Sequence, residues 1–454
     1  MWWFGRRSGC NRLAPVLMFP LALADSPGRA ADVEPAREAA RVVVSGADDP
    51  RLAPFDRMMR AFVADNRVPG AALAVTRHGR LVYARGFGYA SLETAEPVRP
   101  DSLFRVASVS KPVTAAAVLR LIEQGKLAMD DKALDRLGLG PDVRPTDPRW
   151  RQITIRELLQ HRGGFDRGLS GDPMFRPVAT AREFQSEPPA GTALIVRSML
   201  GKPLDFDPGT RYAYSNFGYC VLGRAVEFAS GAPYGKAVHD LVLGPLGITD
   251  REMRLGRALP EFRAPGEVRY YDEKGRKGPS VFAANLGRPV PQPYGAWNLE
   301  AMDAHGAWVA SAPALLKFAS AFDDPEHPKL LRPATIATMF ERPPGPAGTR
   351  PGGRPKDAFY ACGWNVRPNA NGGANTWHDG ALPGTSSLLV RRDDGLDWAV
   401  LFNNRNGPDG TSLSGKIDPL IHQAADAVTD WPDQDLFKTS PPDARPAVPP
   451  SPSR

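Results

Sequence analysis

A serine and a lysine three residues apart stand at the start of one predicted helix of this 454-residue chain. Ser108-Val109-Ser110-Lys111 has the S-x-x-K pattern, and residues i and i+3 share a helical face, so the lysine amine can reach the serine hydroxyl. An alcohol needs an adjacent base to act as a nucleophile, and lysine is that base only where its pKa is lowered. Alone the pattern is a weak signal, because most such pairs are a capping serine and a solvated lysine.

A second polar motif, Tyr214-x-Asn216, opens a helical segment that ends at Gly231. A tyrosine next to a lysine ammonium is easier to ionise and can relay a proton. An asparagine amide can both donate to and accept from a substrate amide. The structural alternatives are that Asn216 caps the helix and that Tyr214 packs in the core.

A third motif, His378-x-Gly380, precedes a predicted strand over residues 385–391. Gly380 would let a substrate backbone approach closely, because it has no side chain. His378 could supply positive charge or a hydrogen bond near a site. The commoner interpretation is an ordinary loop histidine.

Hydrophobic periodicity predicts the elements that position these motifs. Helices are expected over 54–66, over 108–124 and in a last amphipathic segment with Ile417, Leu420, Ile421, Ala424 and Val428 on one face. His78-Gly79 is a hairpin turn between two strands. The predicted strands cover residues 71–76, 81–89, 359–366, 385–391 and 397–402.

These strands lie near both ends of the chain, with helical patterns and Gly/Pro-rich loops between them. Short hairpin connections near the C-terminus imply an antiparallel sheet, and helices are expected to cover its faces. The predicted fold is therefore α+β, with a sheet lobe built from both chain ends and an inserted, mostly helical lobe.

Composition excludes several classes of protein. With 42% hydrophobic and 24% charged residues the chain is globular, and its net charge of +7 is spread without a basic run, so we expect no nucleic-acid partner. No apolar run is long enough for a membrane span. No metal-ligand spacing and no Gly-rich phosphate loop is present, so we expect no metal and no cofactor.

The two ends of the chain differ from its middle. Residues 1–24 combine arginines, a short apolar stretch and the small-x-small pattern Ala22-Leu23-Ala24, which predicts a signal peptide and a secreted or periplasmic protein. Residues 25–50 are predicted to be a linker, 51–430 a globular domain of two lobes, and 431–454 a disordered Pro-rich tail. The sequence leaves open whether Cys220 and Cys362 form a disulfide.

In this order and spacing, the three motifs resemble those of the serine β-lactamase and D,D-peptidase superfamily, in particular class C β-lactamases and their esterase and peptidase relatives. The resemblance covers roughly residues 50 to 430. The flanking segments that agree are FRVASVSK (104–111), LLQHRGGF (158–165), PGTRYAYSNFGY (208–219), GPLGI (244–248), YACGW (360–364) and HDGALPGTSS (378–387).

The resemblance implies a catalytic role for each residue of the first two motifs. Ser108 corresponds to the acylated nucleophile. Lys111 and Tyr214 correspond to the pair that takes its proton and later activates water. Asn216 corresponds to the residue that orients Lys111 and the substrate amide.

The resemblance also implies roles for the third motif and its surroundings. His378 and Gly380 would bind or orient substrate from an edge strand. The backbone N–H groups of Ser108 and Ala381 would form the oxyanion hole. His161, in the L-L-x-H-x-x-G segment, would hold a loop through hydrogen bonds without taking part in catalysis.

Departures from the family pattern bear on the substrate. The third motif of this branch is usually Lys-Thr-Gly, where this chain has His378-Asp379-Gly380. An ionised Asp379 cannot donate a hydrogen bond and would repel a carboxylate, unless strand alternation turns it away. His378 supplies positive charge less reliably than lysine at pH 7. Both changes argue against an efficient β-lactamase and favour a substrate without a free carboxylate at that position.

The expected function is that of a serine hydrolase that cleaves an ester or amide bond of a small-molecule or peptide substrate through an acyl-enzyme. The alternative is a penicillin-binding or sensing homologue with little turnover. The long segment 166–207 could border the cleft or be a surface excursion. The sequence leaves both this point and the oligomeric state open.

Overall fold

The computed structural model describes residues 41–140, 143–272, 274–324 and 326–439. The predicted signal peptide, most of the predicted linker and the tail from residue 440 lie outside the described residues. Within the described residues, no helix has both the length and the apolar character needed to cross a membrane.

The described strands run from residue 44 to residue 402. They are β1 (Val44–Ser45), β2 (Gly70–Arg77), β3 (Arg80–Ser91), β4 (Glu96–Pro97), β5 (Phe104–Arg105), β6 (Met253–Leu255), β7 (Lys277–Pro279), β8 (Pro289–Pro291), β9 (Trp308–Ala310), β10 (Phe359–Tyr360), β11 (Asn365–Pro368), β12 (Ala374–Leu382), β13 (Thr385–Arg391) and β14 (Leu396–Phe402).

Most of the described helices lie in the middle of the chain, between the early strands that end at Pro97 and the late strands that begin at Phe359. They are α1 (Ala53–Asp65), α2 (Ser110–Glu123), α3 (Ile155–Leu159), α4 (Pro177–Glu183), α5 (Thr192–Leu200), α6 (Asn216–Ser230), α7 (Tyr234–Val238), α8 (Ala312–Ala319), α9 (Pro333–Phe340) and α10 (Leu413–Asp426).

One antiparallel sheet joins the two ends of the described chain, as the hairpin pattern predicted. Its main order is β1-β3-β2-β14-β13-β12-β11-β10, with β4 paired to β3. The junction is the β2–β14 ladder, in which Ala72 pairs with Leu401. The predicted hairpin between β2 and β3 is confirmed: His78 and Gly79 both have positive φ (50° and 72°), as a two-residue primed turn requires.

Alternating side chains of the sheet enter two different cores. Leu73 and Val75 of β2 join a cluster beneath α1 and α10, whereas Ala72 and Ala74 face the larger core under the helical lobe. Each buried leucine or valine contributes roughly 1.5–3 kcal/mol through its removal from water. With both faces covered, the sheet is a rigid support for whatever its strand ends carry.

Helices α2 and α6 pack against each other at the centre of the helical lobe. Nearly all of α2 is buried, and Gly125 (φ 70°) follows its end. The cap of α6 is Ser215, whose hydroxyl accepts a hydrogen bond from the Gly218 N–H at 3.0 Å, and the helix ends at left-handed Gly231. Ser215 and not Asn216 is therefore the capping residue, which leaves the Asn216 side chain for other contacts.

The structure corrects one strand prediction and adds a strand that periodicity did not predict. The strand predicted over 359–366 is split into β10 and β11, which pair as a hairpin around left-handed Gly363. Residues 374–382 form the strand β12, so the third motif lies on a strand, as the resemblance implied, and not in a loop. A turn within Asn369 to Gly373 precedes this strand. Polar residues lie on both faces of the strand, so its sequence lacks the apolar–polar alternation that predicts a strand.

The ordered domain extends beyond both predicted boundaries. Val44 pairs with Phe87, so the sheet begins inside the predicted linker. Leu436 donates its N–H to the Leu81 carbonyl at 2.8 Å, so the segment after 430 docks on the domain as far as residue 439. Cys220 and Cys362 are both free and buried.

Candidate active site

The first motif occupies a tight turn that leads into α2. Ser108 lies in a 3-10 turn (Ala107–Val109), and α2 begins at Ser110, so Lys111 is the second residue of the helix. The turn runs directly into the helix, and residues i and i+3 of such a continuous helical segment lie on one face, which keeps Ser108 and Lys111 together. Ala107 has a φ of 45°, a strained conformation for a residue with a side chain, directly before the serine.

Lys111 is fully buried and has three polar neighbours. Its Nζ lies 3.1 Å from Ser108 Oγ, 2.8 Å from Asn216 Oδ1 and 3.0 Å from the His305 carbonyl oxygen. Burial, partly offset by the charge of Asp172, holds the pKa of the Lys111 amine well below its ordinary value. This is the condition that a lysine base requires.

Tyr214 contacts the same group of residues. Its phenol faces Ser108, and its ring centroid lies 4.8 Å from Lys111 Nζ and 4.6 Å from the Arg167 guanidinium carbon. Burial raises the pKa of the Tyr214 phenol well above its ordinary value, although the nearby Ser108 hydroxyl opposes this. Tyr214 therefore keeps its proton at neutral pH, where the sequence had led us to expect easier ionisation.

Asn216 joins α6 to both Lys111 and the long segment 166–207. Its Oδ1 accepts from Lys111, and its Nδ2 donates to Asp172 Oδ2 at 2.7 Å. Asn216 was expected to donate to a substrate, but one of its two amide N–H groups already donates to Asp172.

The third motif contributes its backbone to the site and does not contribute a positively charged side chain. His378 is 2% exposed, with Nδ1 2.7 Å from the Asp379 carbonyl oxygen and Nε2 3.0 Å from the Tyr360 hydroxyl. Burial lowers the pKa of His378 to about 4, so the ring is neutral at pH 7 and the positive charge considered for it is absent. Asp379 alternates to the other side of the strand and is exposed.

Gly380 lies directly against the turn of the first motif. A Cβ atom at this position would lie 2.3 Å from the Val106 carbonyl oxygen and 3.0 Å from the Ser108 nitrogen, so only glycine fits. β11 pairs with residues 374–377 of β12, whereas His378–Leu382 pair with β13 alone. The half of β12 that carries the motif is therefore an open strand edge, and its first half is covered.

A cavity of about 260 Å³ connects these groups. It brings together Ser108, Asn216 and Ala381 of the predicted site, while Lys111, Tyr214, His378 and Gly380 lie around it and not in its lining. The lining residues are Ala107, Ser108, Arg167, Phe175, Asn216, Met302, His305, Gly306, Ala381, Leu382, Pro383 and Arg405. Larger cavities, up to about 680 Å³, are lined by residues of other regions.

The segment 166–207 borders the cleft, which resolves the alternative that the sequence left open. Arg167 and Phe175 line the cavity, and Asp172 holds Asn216. Sequence reasoning missed these residues and the His305 carbonyl. The His305 carbonyl was missed because a main-chain carbonyl has no sequence signal. Asp172 was missed because an Asp-Pro pair in a long Gly/Pro-rich segment is an ordinary turn pattern.

His161 lies behind the site among aromatic rings. Its Nδ1 accepts from the Ser215 N–H at 3.2 Å, and its ring centroid lies 4.4 Å from those of Tyr214 and Tyr360. Burial lowers the pKa of His161 well below its ordinary value, so the ring is neutral. These contacts fit the expected structural role.

A family model described as Beta-lactamase matches residues 55–418, most of the chain. The chain belongs to the β-lactamase family. The matched range contains all three motifs of this β-lactamase family member.

Among curated proteins, the chain is 35% identical over 251 residues to Esterase EstB from Burkholderia gladioli, covering 53% of this chain and 59% of the esterase. It is 28% identical over 362 residues to Penicillin-binding protein 4 from Amycolatopsis lactamdurans, covering 76% and 83%. The match thus spans about three fifths of the esterase's length.

Solved structures share the fold. The structure described as EstCE1, a hydrolase with promiscuous acyltransferase activity, superposes with a TM-score of 0.62 at 23% identity, covering 82% of this chain and 98% of that one. At this identity the likeness establishes the α+β fold of the family, as the sequence predicted.

Proposed function

We propose that the protein is a serine hydrolase that cleaves an ester or amide bond through an acyl-enzyme on Ser108. The observation that carries this proposal is the buried Lys111 amine, which lies 3.1 Å from the Ser108 hydroxyl oxygen. Because burial holds the pKa of Lys111 well below its ordinary value, the amine is available as a base.

Acylation begins as the Ser108 oxygen bonds to the substrate carbonyl carbon and its proton passes to Lys111 Nζ. The carbonyl oxygen becomes an oxyanion, which the backbone N–H groups of Ser108 and Ala381 stabilise together with the N-terminal end of α2. Collapse of this intermediate breaks the bond to the leaving group, which departs with a proton relayed from Lys111 through the Tyr214 hydroxyl.

Deacylation reverses the proton path. A water oxygen adds to the acyl carbon while its proton passes to the Lys111–Tyr214 pair. The bond from Ser108 to the acyl carbon then breaks, and the serine oxygen recovers a proton. Tyr214 enters each step as a neutral phenol, since its raised pKa keeps the proton in place between transfers.

The third motif favours substrates without a carboxylate at this edge of the site. His378 is neutral at pH 7, and Asp379 is an exposed acid next to it. A β-lactam carboxylate would find no cation in the third motif itself and a repelling charge in Asp379, so its cationic partners in the cavity lining would be Arg167 and Arg405. The 35% identity to a protein named as an esterase adds support for ester substrates.

The second candidate is a penicillin-binding or sensing protein that is acylated and not turned over. The similarity to Penicillin-binding protein 4 over 76% of this chain favours it. It predicts a stable adduct with labelled penicillin and no steady-state hydrolysis of small esters.

A substrate panel on purified protein distinguishes the candidates. We expect Ser108-dependent turnover of p-nitrophenyl acetate, with weaker cleavage of nitrocefin, D-Ala-D-Ala peptides and D-amino-acid amides. Ser108→Ala should abolish turnover, and Ser170→Ala, an exposed serine on the neighbouring segment, should retain it. Turnover that survives in Ser108→Ala contradicts the proposal.

We also propose export of the protein to the periplasm or medium. The apolar stretch and the Ala22-Leu23-Ala24 pattern support cleavage after residue 24. The mass of the mature chain from a bacterial expression host tests this. Material that retains Met1 in the cytoplasmic fraction contradicts it.

A further inference from the structure

Asp172 binds the amide of the site asparagine from a distant part of the chain. Its Oδ2 accepts from Asn216 Nδ2 at 2.7 Å, and its Oδ1 accepts from the Met174 N–H at 3.1 Å. Asp172 is thereby fixed as the cap of the 3-10 turn Pro173–Phe175 within the segment 166–207. The carboxylate is held on one side by its own turn and directs its other oxygen at Asn216.

This contact determines which way the Asn216 amide faces. An asparagine amide has a donor end and an acceptor end, whereas a carboxylate only accepts hydrogen bonds. The Asn216 NH₂ group must therefore face Asp172, and its Oδ1 must face Lys111, where it lies 2.8 Å from Nζ.

The orientation of the amide in turn fixes the Lys111 amine. A neutral amine has two N–H donors and one lone pair in a tetrahedral arrangement. Asn216 Oδ1 and the His305 carbonyl oxygen both accept, and they occupy the two donors. The remaining direction, toward Ser108 Oγ at 3.1 Å, is that of the lone pair. A flipped amide would present an N–H donor to Lys111 and compete with Ser108 for this lone pair.

We propose that Asp172 is a positioning residue that locks the Asn216 amide so that the Lys111 lone pair is kept for the Ser108 proton. The proposal rests on the acyl-enzyme function proposed above and deepens it. It gives the segment 166–207 a part in activating the nucleophile, in addition to bordering the cavity.

The charge of Asp172 has a second, separable effect on Lys111. Asp172 and Asp379 raise the pKa of the amine against the effect of burial, and Arg167 lowers it. The other groups that face the amine are two tyrosines and three histidines: Tyr214, Tyr219, His161, His305 and His378. Burial lowers the pKa of each of the three histidines.

Removing the Asp172 charge therefore changes the pH profile in a defined direction. A nearby negative charge favours the ammonium form, so its loss lowers the pKa of Lys111. The deprotonated, reactive amine then persists to lower pH. The acidic limb of the rate profile should move to lower pH while the plateau falls, which simple loop damage would not produce.

The experiment measures the rate of Ser108 acylation by a fluorophosphonate between pH 5 and 9. This readout does not require turnover. Asp172→Asn is isosteric and can donate, so it permits the flipped amide. We expect its plateau rate to fall on the order of 10- to 100-fold, which is less than the 10²- to 10⁴-fold of a lost general base because Lys111 remains, with the acidic limb at lower pH. Asp172→Glu keeps an acceptor-only carboxylate and should recover most of the rate.

Asp205→Asn is the matched control. Asp205 holds the same segment through the Asp166 N–H at 2.7 Å and the Ser170 hydroxyl at 3.0 Å. The Asp205→Asn variant should keep the acidic limb at its wild-type pH. Melting curves of all variants show whether each one is folded. The inference is overturned if Asp172→Asn keeps both the wild-type plateau rate and the wild-type pH of the acidic limb. It is also overturned if Asp172→Asn and Asp205→Asn lose the same share of the plateau rate and neither moves the acidic limb. If the wild-type protein forms no adduct, the proposed function itself fails.

Discussion

The helix side and the strand side of the site contribute different chemistry. Helices α2 and α6 bring the Lys111 and Asn216 side chains to the Ser108 hydroxyl. Strand β12 brings the close backbone of Gly380, while the ionisable side chain of His378 is buried against Tyr360. In the proposed mechanism, the helix side therefore transfers the protons and the strand side shapes the oxyanion site.

The largest effect should follow from removing the base on the helix side. Lys111→Met keeps a long, flexible side chain and removes the amine, so Ser108 acylation should fall about 10²- to 10⁴-fold. Burying an apolar group in place of an amine should leave the protein folded. Stopped-flow acylation rates test this, with exposed Lys126→Met as the control. A Lys111→Met rate within a few fold of wild type would mean that another group takes the proton.

The strand side should respond next most strongly, through its backbone. In Gly380→Ala the new Cβ would lie 2.3 Å from the Val106 carbonyl oxygen, so β12 must move away from the serine turn. We expect about 10²-fold slower acylation, comparable to the loss of an oxyanion donor, and a melting temperature lowered by overpacking.

Gly415→Ala provides the matched control for this substitution. A Cβ at Gly415, on α10, has open space around it, so activity should be unchanged and stability should be equal or higher by up to about 1 kcal/mol, as expected for Ala in place of Gly in a helix. If Gly380→Ala retains full activity, the strand edge does not shape the oxyanion site.

A smaller effect is expected for the proton relay. Tyr214→Phe removes the hydroxyl that faces Ser108 and keeps the ring beside His161. Because Lys111 remains as base, kcat should fall on the order of 10-fold, while the pH of the acidic limb stays the same. Steady-state ester hydrolysis measures this, with Tyr212→Phe for comparison. A loss as large as that of Lys111→Met would assign the base to the tyrosine.

His378 should affect stability more than rate. Its pKa in the folded state is lowered to about 4, below the ordinary value near 6.5, so the unfolded chain binds a proton first as pH falls. The free energy of unfolding should therefore decrease between about pH 6.5 and 4, by up to about 1.4 kcal/mol per pH unit for this residue. His161 and His305, whose pKa values burial also lowers, act in the same direction.

Urea unfolding at pH 7 and pH 5 measures this slope. His378→Gln should reduce the slope and change kcat by no more than a few fold. A large loss of kcat with an unchanged slope would place His378 on the reacting side of the strand.

The sequence predicted elements whose signals are local. The 3.6-residue spacing in α2 and α6, the glycine that ends α6 and the His78-Gly79 turn each act over a few residues, and the structure confirms them. The sheet formed from both chain ends followed from the distribution of strands along the chain.

The surroundings of the site could not be predicted because they depend on distant contacts. Asp172 meets Asn216 across 44 residues, and the His305 carbonyl meets Lys111 across 194. The neutral state of His378 depends on its burial beside Tyr360, which the H-x-G pattern does not encode. Motif spacing predicted which groups lie close together, while folding determined their protonation and orientation.

The central claim is that Ser108 is the acylated nucleophile. Its most direct test is intact-mass analysis of the purified protein after reaction with a fluorophosphonate, followed by peptide mapping. We predict one adduct per chain, located on Ser108 and not on neighbouring Ser110, and absent from Ser108→Ala. The absence of an adduct on the wild-type protein, or one that persists in Ser108→Ala, would contradict the account.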